Sequence, residues 1–149
     1  MKCRADIQSL AEERLKDAEC LYKNNRFDAA YYLAGYSVEL LLKAKICNTL
    51  GIDDFFDFNN PKKTKLEVKN IGEVYKPYKV HDLLQLLIFS GFYTEFQKAI
   101  KLDRNFKSHW SIVCEWNENS RYLSGTTGKD AENFITSIKE IMKWIQRHL

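Results

Sequence analysis

Between positions 28 and 50 the chain is apolar on nearly every side of a helical wheel: Ala29, Ala30, Tyr31, Tyr32, Leu33, Ala34, Tyr36, Val38, Leu40, Leu41, Leu42, Ala44 and Ile46. A helix with no polar face has no side to give to solvent, so other elements must wrap it, which is the place of a central helix in a bundle. Ser37 and Glu39 interrupt the apolar stretch, which is too short to cross a bilayer, so no membrane anchor is expected. Gly51 is the natural stop. The small residues Ala30, Ala34 and Gly35 leave room for another helix to approach closely, while Glu39 and Lys43, one turn apart, read as a structural salt bridge along the helix.

The flanking segments carry the polar faces that the central one lacks. Residues 5 to 22 place Ile7, Leu10, Ala11, Leu15, Ala18, Leu21 and Tyr22 on one stripe, with Glu12, Glu13, Lys16, Asp17 and Glu19 elsewhere, and Asn24-Asn25 as the stop. Helical spacing returns at Val80, continues through Leu83, Leu84, Leu86, Leu87 and Ile88, and is punctuated by Gly91. A fourth region runs from 93 to 116 with a slip of register near Asp103. The last follows Ser124-Gly125-Thr126-Thr127-Gly128 and carries Ala131, Phe134, Ile135, Ile138, Ile141, Met142 and Ile145 on one face. Residues 52–79 read differently: an acidic aromatic run (Asp53, Asp54, Phe55, Phe56, Asp57, Phe58), then Pro61-Lys62-Lys63, then alternating Leu66, Val68, Ile71 and Val74. This is an ordered insertion, as a short helix or a small hairpin. The expected architecture is all-α: an antiparallel up-and-down bundle of about five helices with a 52–79 insertion, one domain over 1–149. Two prolines and six glycines, against nine phenylalanines, eight tyrosines and three tryptophans, exclude a disordered chain and a turn-rich β-sandwich.

The charge balance, 23 basic against 20 acidic residues, is too even for a general nucleic-acid coater, so any nucleic-acid site must be local. Cys3, Cys20, Cys47 and Cys114 show no C-x-x-C spacing and no secretory segment follows Met1, which points to reduced thiols in the cytoplasm. A phosphate-binding glycine loop, H-E-x-x-H, a Cys/His metal cluster and a G-x-S-x-G elbow are all missing, so neither a metal nor a cofactor is expected. Three histidines remain as neutral-pH proton carriers. His148 is expected to fray. Either His81 or Asp82 is expected to cap the helix that follows.

His109 closes Arg104-Asn105-Phe106-Lys107-Ser108-His109, which sets a fixed cation, a titratable imidazole and a further lysine within six residues. Phosphodiester cleavage uses such groups: the imidazole moves a proton at a ribose 2′-hydroxyl or at the leaving oxygen, and the guanidinium stabilises charge on the phosphorus oxygens. Five residues of ideal helix turn by roughly 140° net, so Arg104 and His109 converge only through a helix start or kink between them, or across a two-fold axis. A second cluster holds Trp110, Trp116, Arg121 and Tyr122, with Glu115 and Glu118 between them. It reads as core packing plus a surface salt bridge, or as an arginine offered to a phosphate or to a carboxylate such as Glu39. Lys62, Lys63 and Lys65 read as a solvated loop.

The stretch from Ala29-Ala30-Tyr31-Tyr32-Leu33-Ala34-Gly35-Tyr36 through Glu39 and Lys43 to Lys45, with His81-Asp82-Leu83 and later Ser120-Arg121-Tyr122, resembles the HEPN (higher eukaryotes and prokaryotes nucleotide-binding) domain. The resemblance implies an all-α, homodimeric protein. It further implies a metal-independent RNA endonuclease of a toxin–antitoxin or defence system, in which His109 is the acid/base, Arg104 stabilises the phosphorane and Asn105 orients them at a dimer interface. Asn105, Lys107, Arg121 and Tyr122 would contact RNA or nucleotide. The competing expectation is a noncatalytic nucleotide- or protein-binding module that partners a minimal nucleotidyltransferase through the face carrying Glu39 and Arg121. A third is an adaptor that docks a client through the aromatics of residues 55–58.

Overall fold

The computed structural model describes residues 4–52, 73 and 76–149. Among them are six α-helices and no strand: α1 (Arg4–Lys23), α2 (Phe27–Leu50), α3 (Leu83–Phe89), α4 (Tyr93–Leu102), α5 (Arg104–Val113) and α6 (Gly128–Arg147). Short 3-10 turns lie at Lys76–Tyr78 and Glu118–Tyr122. The bundle is all-α, as the helical periodicities require.

The two long helices stop by the same device. Asn25 adopts φ +58° after α1, and the N–H groups of Asn25 and Arg26 turn back to the carbonyls of Tyr22 and Leu21 at 3.0 and 2.9 Å. Gly51 does the same after α2 at φ +65°, with Gly51 and Ile52 donating to Asn48 and Cys47. Both are left-handed C-terminal caps that use up carbonyls the helix leaves free. The residues predicted to end these helices therefore end them for the predicted reason.

Helix α2 is the axis of the core. Ala34, Val38, Leu41, Leu42 and Ile46 are fully buried, against Ile7, Ala11 and Ala18 of α1, Leu83, Leu86 and Leu87 of α3, and Phe134, Ile138 and Ile141 of α6. Helix α1 runs antiparallel to α2, since Arg4 at its start donates to Asn48 at the far end of α2 at 2.8 Å. Helix α6 begins beside the start of α2, where the Thr126 N–H donates to Asp28 at 2.9 Å, and runs parallel to it. Helix α3 is also parallel to α2: His81 before it meets Glu39, and Thr49 donates to the Ser90 carbonyl after it at 2.9 Å. The aromatic run at 53–58, Pro61 and the lysines at 62–65 lie outside the described residues.

At Gly35 the approach is closer than helix packing requires. A Cβ there would fall inside the indole ring of Trp116, whose Nε1 donates to the Tyr32 carbonyl at 3.2 Å. The small residue makes room for a tryptophan, not for a helix. The fourth predicted segment is two helices, divided where the slip of register fell. Asp103, extended at φ −129° and ψ 110°, ends α4 and caps α5, accepting from the N–H groups of Asn105 and Phe106 at 2.8 and 3.2 Å. The elbow is stapled by rings: Phe96 meets Phe106, Trp110 and Trp144 edge-on at 5.0, 4.8 and 5.0 Å between centroids. His148 is not frayed. It stacks on Trp144 at 4.0 Å, and its Nδ1 meets the Trp144 carbonyl at 2.7 Å.

Candidate active site around His109

Because α5 begins at Arg104, the break that could have drawn Arg104 toward His109 lies one residue too early. The two residues sit in one uninterrupted helix and keep their separation of roughly 140° within a protomer. Asn105, one turn before His109, shares its face. Both line an open groove of about 360 Å³ between α5 and α6, with Asp103, Phe106, Glu140, Trp144 and Arg147. Arg104 and Lys107 are exposed on other sides of α5.

His109 is half-buried and anchored. Its Nδ1 lies 3.0 Å from the hydroxyl of Ser137, a buried residue on α6, in a hydrogen bond whose direction follows the tautomer. Nε2 has no hydrogen-bond partner among the described residues. Nearby, Glu140 stays ionised below its ordinary range. The Lys143 ammonium that donates to it at 2.8 Å is the main cause, partial burial opposes, and the charges of Lys143, His109 and Arg147 add the rest. Ser137, Glu140, Trp144 and Arg147 escaped the sequence reading, although their spacing of three, four and three residues places them on one stripe of α6.

A second imidazole sits in a different environment. His81 Nδ1 lies 3.0 Å from both carboxylate oxygens of Glu39, and Lys43 donates to the same carboxylate at 2.7 Å. Glu39 is 1% exposed, and among the described residues these two partners hold its carboxylate. On its outer side His81 Nε2 faces Glu118 at 3.6 Å. The field of Glu39 reaches Tyr36, whose phenol is pushed up first by burial and then by that charge. Asp82, not His81, is the cap of α3, accepting from the Gln85 N–H at 2.8 Å.

The expected contact of Arg121 with Glu39 is not made. Glu39 is occupied by Lys43 and His81, while Arg121 lies over the ring of Tyr122 at 5.0 Å, both residues being exposed. Arg121 instead lines a groove of about 460 Å³ at the start of α2 with Asn25, Arg26, Phe27, Asp28, Tyr32 and Thr126. Asp28 there is held below its ordinary range by the hydrogen bonds from Thr126. The face expected to present Glu39 and Arg121 together thus presents Arg121 with Arg26.

Among the described residues no helix is long and apolar enough to cross a membrane. The family model described as the HEPN domain matches residues 7–54, which cover most of α1 and all of α2. No curated protein and no solved structure gives a significant match.

Proposed function

We propose that this HEPN-domain protein acts as a single unit over residues 1–149 and is a metal-independent RNA endonuclease of a cytoplasmic toxin–antitoxin or defence system. The observation that supports this reading is the state of His109: fixed through Nδ1 by a buried hydroxyl, open at Nε2, and beside Asn105 in a groove. That is what a general acid/base needs, since orientation is set by one nitrogen and chemistry is left to the other.

In the proposed reaction a ribose 2′-oxygen forms a bond to phosphorus and the bond from phosphorus to the 5′-oxygen breaks. The proton of the 2′-hydroxyl goes to a base and the leaving 5′-oxygen receives one, giving a cyclic phosphate and a 5′-hydroxyl. His109 carries one of these transfers. Arg104 lies on another face of α5 and does not line the groove of its own protomer, so in this reading a homodimer supplies Arg104 from the second copy, where the guanidinium stabilises the phosphorane. Leu102, 88% exposed on the rim of the groove, offers an apolar contact to such a copy. Lys107, Arg121 and Tyr122 contact the RNA strand outside the reacting phosphate.

Cleavage of RNA in EDTA tests the reading, with wild type compared against Arg104→Ala and His109→Ala after each is shown to be folded. Cutting that is lost in both variants is the expected result. RNA left intact by the wild type, or cut equally by the variants, would overturn it.

A second reading follows from the groove at the start of α2, which two arginines, Arg26 and Arg121, line together with Tyr32. This suits a noncatalytic module that binds a nucleotide presented by a minimal nucleotidyltransferase. Nucleotide binding that survives His109→Ala and is lost in Arg121→Ala, with no RNA cleavage, would favour it.

A further inference from the structure

We propose that Arg147 is the phosphate-contacting cation of the His109 groove, supplied by the same protomer as the imidazole. The inference rests on the reading of His109 as the centre of RNA cleavage and names a residue which that reading did not contain.

The groove itself sets the requirement. A phosphodiester brought to His109 Nε2 carries a negative charge past two carboxylates, Asp103 and Glu140, which line the same groove. Both are already answered. Asp103 accepts from two backbone N–H groups at the start of α5, and Glu140 accepts from Lys143, with the charge of Arg147 adding only a lesser attraction that is not an ion pair. Arg147 is the guanidinium that lines this groove, since Arg104 lies on another face of α5. Its Nε donates to the Lys143 carbonyl at 3.3 Å, and its guanidinium makes no ion pair among the described residues. The stem is thus fixed on the last turn of α6 and the two terminal nitrogens remain for a ligand. A guanidinium presents them as a planar fork that matches two phosphate oxygens.

The placement divides the work. Arg147 and His109 come from facing helices of one chain, whose register is set by the His109–Ser137 hydrogen bond and by Phe106 packing against Trp144 at 5.9 Å between centroids. Arg147 would hold the phosphate at the imidazole before a second chain completes the site. It therefore contributes to substrate binding as well as to the transition state.

The test measures kcat/KM for RNA cleavage in EDTA for wild type, Arg147→Ala, Arg147→Gln and Arg147→Lys, with His109→Ala as the reference inactive variant. The same proteins are titrated with a fully 2′-O-methylated RNA, which cannot be cleaved. Arg147→Gln keeps a polar side chain with part of the aliphatic stem and no charge, and carries the test if the alanine variant fails to fold. The expected result is a roughly 100-fold loss of kcat/KM in the neutral variants, partial recovery in Arg147→Lys, and weaker binding of the methylated RNA in the neutral variants alone. Neutral variants that cleave at the wild-type rate while His109→Ala is inactive would overturn the role of Arg147 and leave the cleavage reading standing. Methylated-RNA binding that depends on Arg147 in a wild type that cuts nothing would support the phosphate contact and sink the cleavage reading. Inert wild type with binding indifferent to Arg147 would sink both.

Discussion

Two imidazoles of this bundle are each held through Nδ1 at 3.0 Å, yet their surroundings differ in charge and in access. His81 leans on Glu39, a buried carboxylate that also binds Lys43, and faces a second carboxylate on its outer side. His109 leans on a neutral hydroxyl, Ser137, and faces a groove. A ring between two anions helps to close a charge network, and changing its proton count unbalances the network. A ring held by a hydroxyl can give and take a proton without leaving a buried charge unpaired. Anchoring alone therefore does not separate the two rings; what differs is the outer nitrogen, which faces Glu118 in His81 and an open groove in His109.

Breaking the anchor should separate the two regions most sharply at Glu39. Glu39→Ala leaves Lys43 buried without its partner and should cost about 3 to 5 kcal/mol of stability in chemical denaturation, whereas replacing the pair by Leu and Met should cost much less. His109→Ala removes one hydrogen bond and should cost only about 1 kcal/mol in the same assay, while lowering RNA cleavage by roughly 100-fold or more. Ser137→Ala sharpens the contrast further, because it frees the ring without removing it; a loss of roughly tenfold in kcat with little change in the melting curve is expected. The smallest effect is at the groove's rim. Glu140 titrates below its ordinary value, so its contribution to stability is present above the unfolded-state pKa and fades as the pH falls through the folded one. Lys143→Ala should move the Glu140 carboxyl midpoint upward in an NMR titration, with a stability change near the limit of detection because the side chain is exposed.

The fold was legible wherever a single periodic stripe or a cap residue carried it. The all-round apolar pattern placed α2 at the centre, Asn25 and Gly51 ended their helices, and the slip near Asp103 marked the elbow between α4 and α5. Partnerships between distant segments were not legible, because hydrophobic periodicity says which face is buried and not what covers it. The pairing of Glu39 with His81 spans 42 positions and displaced the expected contact with Arg121. Trp116 filled the space at Gly35 that reads in sequence as a helix-packing stripe. At the candidate site, Arg104, Asn105 and His109 were visible as a local motif, whereas Ser137, Glu140, Trp144 and Arg147 became visible only once α6 was laid against α5. The same geometry shows that Arg104 and His109 diverge on one helix, which spacing alone allowed but did not decide.

That divergence carries the central claim, that each centre joins His109 of one chain to Arg104 of another. Mixing the two inactive variants, Arg104→Ala and His109→Ala, under conditions that exchange subunits measures it directly. A mixed dimer holds one centre with both native residues and one with neither, and half the dimers are mixed, so the account predicts recovery of about a quarter of wild-type cleavage. A mixture as inactive as its components, in which mixed dimers are shown to have formed, would contradict it.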